Sequence, residues 1–479
     1  MDRRFGAAAA CAALILVGCS AGRPIALPDP PEPQSVSSSP SVPGVGDPGV
    51  HDPYFAHYGN GGYDVTAYAL KIKYDPASGN LTGDVTITAT AKQELRQFNL
   101  DLHGFTIDKI EIDKAAATFS RAADELTVKP ATAIASGATF ATRVTYAGIP
   151  QPITGSGLGS TGFLKSDETV FVAGQPEAAS TWFPVNDHPS DKALYTIAIT
   201  APTASEVISN GVLEGQDKQP GWTTWRWRED QPMASYLATL AIGKFRVVES
   251  THKGKPVRIA IAARIPVGQV DEAVAKTPEI CDYLGGFFGD YPFDAYGAIV
   301  IDDPRVGFAL ETQSRPIYAA SMIGGGDRGG IVAHELTHQW FGDSVSIADW
   351  RQIWLNEGFA TYGQWMWVEH VGGDTVDESF EDNFSNASSA IWQVAPGDPG
   401  RTRVFDRSVY YRGAMTLHAL RLTVGDDKFF QILKTWAAEK RNGNATTAEF
   451  VAHAEKISGA ELSALFDAWL FGKGRPAHP

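Results

Sequence analysis

Ile331-Val332-Ala333-His334-Glu335-Leu336-Thr337-His338-Gln339-Trp340 is the stretch from which the rest of the chain can be read. On a helix, His334 and His338 stand one turn apart and point the same way. Two imidazoles on one face can chelate a divalent ion, and Glu335 between them can serve as general base. A catalytic zinc keeps three protein ligands and leaves a fourth position to water, so one ligand must come from elsewhere. Eighteen residues separate His338 from Glu357, in the run Trp354-Leu355-Asn356-Glu357-Gly358-Phe359-Ala360. Glu357 lies in an apolar, aromatic-rich segment from Trp350 to Val368 that reads as a second helix. The pattern is that of a zinc hydrolase with one Zn2+ per chain.

Outward from this stretch, 479 residues are too many for one ordinary core and imply two or three domains. A hydrophobic share of 43% with 11% aromatics is that of a globular protein. A formal net charge of −15 argues against nucleic acid or an anionic membrane surface as the main partner.

The N-terminus reads as an export signal. Arg3 and Arg4 precede a short apolar run, Gly6 to Val17, too short for a comfortable membrane span. It ends in Leu16-Val17-Gly18-Cys19, which resembles the bacterial lipobox. That resemblance implies a signal peptide over 1–19, lipid attachment at Cys19, and an exported, extracytoplasmic protein anchored to a membrane. Cys281 is then the only thiol left besides the lipidated one, so no internal disulfide is expected. Its apolar helical surroundings mark it as a buried small residue. Residues 20–54, rich in Pro, Ser and Gly, read as a flexible tether.

From Gly62 the apolar period changes to two. Tyr68, Leu70, Ile72 and Tyr74 alternate with polar or small partners, as do Val85, Ile87, Ala89 and Ala91 after the turn signal at residues 77–80. Short alternating runs continue to a last strand over residues 236–245. This predicts an antiparallel β-rich domain over 55–246, a sandwich or saddle of sheets. Residues 155–162 read as a turn-rich loop, since no Lys-Ser or Lys-Thr directly follows the last glycine to make a phosphate cradle. Residues 247–479 read as mostly helical, and they carry the chemistry. His188, His370 and His418 have no ligand spacing and read as surface or packing residues, and the pair Asp302-Asp303 as a turn feature.

The residues 334–343, HELTHQWFGD, with Glu357 in WLNEGFA, closely resemble the aminopeptidase N family of zinc metallopeptidases, of the gluzincin type. The resemblance covers nearly all of the chain after the tether. It implies an α+β multidomain fold in which the β-rich domain precedes a thermolysin-like, mostly helical zinc-peptidase domain. It implies peptide substrates with a free N-terminus, and metal ligands His334, His338 and Glu357 with Glu335 as base. Ala309-Leu310-Glu311-Thr312 stands where the family has G-A-M-E-N, which implies that Glu311 binds the substrate's α-ammonium group. Gln175-Pro176-Glu177-Ala178 resembles the family's Q-x-E-A, giving Glu177 as a second acid there. Tyr410-Tyr411-Arg412-Gly413-Ala414 resembles Y-x-K-G-A, giving Tyr410 as the group that stabilises the tetrahedral intermediate.

Three departures bear on specificity. Phe308 stands where the family has Gly, Thr312 replaces Asn, and Arg412 replaces Lys, which is not geometrically equivalent. The chain also stops just after the catalytic domain's final helices, so the large C-terminal helical domain of many members is expected to be absent. Two other readings use the same residues: a zinc endopeptidase of thermolysin type, and a tethered non-catalytic peptide-binding protein on the same fold.

Overall fold

The computed structural model describes residues 42–479 other than 157, 304, 327, 387 and 388. The expected signal peptide with Cys19, and the expected tether up to residue 41, lie outside the described residues. The expected tether ends earlier than residue 54. Gly46 donates to the Gln97 carbonyl at 2.8 Å, and Asp52 accepts from the Trp350 backbone N–H at 2.8 Å and lies 3.1 Å from His188 Nε2. Two buried polar side chains that satisfy each other cannot belong to a free linker.

The period-two runs form strands as expected. In Tyr63–Asp75, residues Tyr68, Leu70, Ile72 and Tyr74 are buried, and the strand pairs antiparallel with Asn80–Ala91, Leu70 opposite Val85. These two lie inside an eight-stranded sheet. The sheet is not wholly antiparallel, because Tyr63–Asp75 runs parallel to Lys192–Pro202 on its other edge. A five-stranded sheet (Glu206–Ser209, Leu240–Gly243, Thr169–Ala173, Gly159–Lys165, Ile153–Ser156) and a three-stranded one complete the β-rich domain. The Gly-rich loop expected over 155–162 is instead part of the hairpin between the last two of those strands.

The predicted last strand splits. Ser235–Leu237 forms one 3-10 turn, and Leu240–Gly243 closes the β-domain. Phe245–His252 then joins a different, five-stranded sheet with Lys255–Ala262, Tyr296–Ile301, Ile317–Ala319 and, at its far edge, Ala309–Leu310. The chain therefore changes domains at Lys244, slightly before the expected 246. Helices Gln269–Ala275 and Thr277–Phe288 follow, and Cys281 in the second is buried and free. Beyond the sheet the chain is helical through Gly413–Val424, Asp426–Glu439 and Thr447–Ser458. No helix among the described residues is long and apolar enough to cross a membrane.

Candidate functional site

Two helices build the site. Gly330–Thr337 carries His334 and Glu335, and His338 follows in helical conformation as its C-cap, donating its backbone N–H to the His334 carbonyl at 3.3 Å. Trp354–His370 carries Glu357 in its first turn. They pack closely because small groups meet: a Cβ on Gly363 would collide with the Thr337 side chain. Gly358 does the same for the segment bearing Tyr410, since a Cβ there would lie 2.9 Å from the Gly413 Cα. The glycine after Glu357 and the glycine after Arg412 thus let backbone meet backbone, which brings the Tyr410 segment over the metal motif.

His334 Nε2 and His338 Nε2 lie 3.3 and 3.4 Å from Glu357 Oε2. A metal bonded tetrahedrally at about 2.0–2.2 Å holds its ligand atoms roughly 3.3–3.6 Å apart, so the three groups fit a zinc ion. His338 Nδ1 faces the Phe341 carbonyl at 3.1 Å and Gln364 hydrogen-bonds His334, which fixes the rings with Nε2 inward. Electrostatics point the same way. Glu311, Glu335 and Glu357 are all buried around His338, and among the described residues none pairs with a lysine or arginine. Burial pushes the Glu335 carboxyl well up, and the charges of Glu311 and Glu357 push it further. Burial also acts on Glu357, but the charge on His338 and the hydrogen bonds of both imidazoles outweigh it and hold that carboxyl low. A divalent cation would balance the charge of this set of acids.

Around the three ligands lies a cleft of about 380 Å³ that also takes in Glu311, Glu335, Gln175, Phe308, Tyr410 and Tyr411. The Tyr410 ring lies 6.0 Å from that of His334, and burial followed by the three nearby carboxylates keeps its phenol protonated. Glu311 sits just past the edge strand, where its Oε1 accepts from Gln175 at 2.6 Å and from the Tyr236 hydroxyl at 3.1 Å. Gln339, inside the motif, holds the same strand end by donating to the Glu311 carbonyl at 3.0 Å.

The structure brings together every residue expected at the metal and substrate site except one. Glu177 is not among the residues lining this cleft. Its carboxyl accepts from the Tyr58 hydroxyl at 2.6 Å and borders a separate cavity with Asp101, Asp124, Glu125 and Asp187. The expectation that Glu177 joins Glu311 is corrected accordingly: the β-domain residues that hydrogen-bond Glu311 are Gln175, two positions earlier, and Tyr236. The signal for Gln175 lay in the same motif, whereas Tyr58 and Tyr236 carried none.

The departures find physical reasons. Arg412 is buried and its guanidinium donates to the carbonyls of Trp469 and Gly472, both at 2.7 Å, and to those of Trp392, Val394 and Ala468, so it ties down the chain's end and does not enter the cleft. Thr312 Oγ1 donates to the Arg315 carbonyl at 2.6 Å and closes a turn. The expected minor roles hold: Asp303 pairs with Arg305, and His370 stacks on Tyr283 with ring centroids 4.2 Å apart.

A β-rich domain set against a helical domain whose H-E-x-x-H and distal glutamate converge on one buried cleft defines a gluzincin-type metal centre. Residues 285–469 match the peptidase family M1 domain and residues 64–237 the peptidase M1 N-terminal domain, and the chain belongs to this family. It is similar to glutamyl aminopeptidase of Sus scrofa, 27% identical over 63% of this chain and 34% of that protein. The chain thus spans about a third of the length of the curated relatives it matches. Among solved structures it resembles an M1 zinc metallopeptidase from Deinococcus radiodurans, with a TM-score of 0.79 and 29% identity over 90% of this chain and 98% of that one. A mutant of that metallopeptidase bound to a Tyr-Ser-Ala substrate matches with a TM-score of 0.81 and 29% identity, over 90% of this chain and 99% of that one.

Proposed function

We propose that this chain is a zinc-dependent aminopeptidase that releases the N-terminal residue of peptides. The observation that carries the reading is the placement of Glu311. A buried carboxylate with two neutral hydrogen-bond donors faces the same cleft as the metal ligands, at the end of an edge strand. An α-ammonium group supplies the charge this acid lacks, and an acetylated N-terminus leaves it unpaired at a large cost.

His334, His338 and Glu357 would hold the ion, which when bound lowers the pKa of its water and polarises the scissile carbonyl. Glu335 accepts a proton from the attacking water and returns one to the leaving amine. Tyr410 donates its hydroxyl to the carbonyl oxygen as negative charge develops there. Glu311, set by Gln175 and Tyr236, fixes the first peptide bond over the base.

The test uses one leucine-headed peptide with a free or an acetylated N-terminus, with and without chelator. Chelator-sensitive release of leucine from the free peptide alone supports the reading; equal cutting of both forms moves it to an endopeptidase. Export and membrane anchoring through Cys19 belong to the same proposal and rest on the lipobox resemblance. Cys19→Ser should move the protein from the membrane fraction to the soluble fraction, and an unchanged distribution would count against the anchor.

A further inference from the structure

The strand Ala309–Leu310 pairs with Ile317–Ala319 on one side and, among the described residues, with no strand on the other. Such an edge takes up an extended chain by main-chain hydrogen bonding. With the substrate's ammonium group at Glu311, a peptide lying antiparallel to this edge runs back past Ala309 and Phe308 towards Val306, covering about 3.4 Å per residue. In that direction lies a second cavity, of about 440 Å³, which shares Leu158 and Phe308 with the metal cleft. Its walls include Ile149, Pro152 and Phe163 from the β-domain and Val306 from the loop before the edge strand. Ile149 is 59% exposed, an apolar side chain left open to solvent beside this hollow.

We propose that this cavity is an extended subsite that receives the peptide from about its third residue onward and selects a large apolar side chain there. The inference rests on the aminopeptidase reading for the direction of the peptide. Two features carry it beyond that reading. The cavity shares the walls Leu158 and Phe308 with the cleft, and apolar side chains predominate in its lining, with the charged Lys165, Asp303 and Arg305 among them, where the cleft gathers three acids. Phe308, standing where the family resemblance expects glycine, contributes its side chain to both hollows. The β-domain hairpin Gly159–Lys165 supplies Phe163 to the far wall, so substrate selection draws on both domains.

The experiment compares the zinc-loaded full chain on Leu-Ala, Leu-Ala-Phe-Ala and Leu-Ala-Asp-Ala. Burying one phenylalanine side chain is worth about tenfold or more in affinity, so the phenylalanine tetrapeptide should exceed the other two about tenfold in kcat/KM. Ile149→Asp, a change on an exposed loop, should pull the Phe:Asp ratio towards one, and Ile149→Ala should do so less. Binding of the same peptides to the Glu335→Gln variant, read by calorimetry, should give the same order without turnover. Cutting of all three peptides at similar rates, or a Phe:Asp ratio untouched by Ile149→Asp, would overturn the subsite and leave the aminopeptidase reading standing. No cutting, with the phenylalanine peptide still bound tightest by Glu335→Gln, would do the reverse.

Discussion

Two groups of buried carboxylates divide this molecule, and they differ in what surrounds them. In the helical half, Glu311, Glu335 and Glu357 crowd about His334 and His338, so each acid has other ions for neighbours. In the β-domain, Asp191 and Asp187 take amides and hydroxyls as partners, as Glu311 also does, but among the described residues no histidine pair converges on them. Asp191 accepts from the Val65 N–H at 3.1 Å and from Asn186 at 2.5 Å, and Asp187 accepts from the Ser235 hydroxyl at 2.7 Å. Burial pushes Asp191 up to about 7, and likewise Glu229 and Glu125. Neutral donors can satisfy a carboxyl that takes up a proton, but they cannot hold a metal. The first group gathers negative charge that calls for a cation, and the second suppresses charge to keep a scaffold buried. Residue type and burial are the same in both; the partners decide the role.

That contrast can be tested in decreasing order of effect. On the proposed mechanism, Glu335→Gln should lower kcat about 10³-fold while zinc is retained, since a positioned general base is worth about 10²–10⁴-fold. A modest loss would place Glu335 with the scaffold acids. Tyr410→Phe should cost about 10²-fold in kcat with KM little changed, as loss of one donor to a developing oxyanion does.

A sharper comparison sets Glu311 against Glu177, the acid expected beside it from sequence. Glu311→Gln should lower kcat/KM on free peptides about 10- to 100-fold, the range for a hydrogen bond to a charged group, and narrow the gap to acetylated ones. Glu177→Gln, already hydrogen-bonded to Tyr58, should cost less than about threefold on the same scale. Equal losses would return Glu177 to the cleft.

The smallest effect is on stability. The folded state holds the Asp191 proton more tightly than the unfolded chain, where the group titrates near its ordinary value. Its contribution is therefore fully present below that value and is lost as pH rises through about 7. Between pH 8 and pH 6 this one group adds on the order of 1 kcal/mol, and thermal melting should rise accordingly. Asp191→Asn should flatten that rise; an unaltered slope would mean that Asp191 is charged in its pocket.

Much of this was legible in the sequence, for identifiable reasons. His334, His338 and Glu335 are bound to one another by helical spacing, and a period of two in residues 68–74 makes a strand whatever its partners. The parallel pairing of Tyr63–Asp75 with Lys192–Pro202 was not legible, because it joins segments more than a hundred residues apart with no local mark. Nor was the position of Glu177. A motif gives residue order, but whether its first or third member turns into the cleft depends on Tyr58, which lies before the first periodic strand and carries no local mark. Arg412 shows the same limit: from sequence it was only a departure from the family's Lys, and its five carbonyl partners put it in the framework.

The most direct measurement is the zinc content of the purified full chain beside that of Glu357→Gln, both dialysed against the same trace of zinc. The account predicts one zinc per chain in the first and almost none in the second, with the buried acids of the β-domain binding none in either. Equal zinc in the two proteins would contradict it, because the metal would then be held somewhere other than the cleft formed by His334, His338 and Glu357.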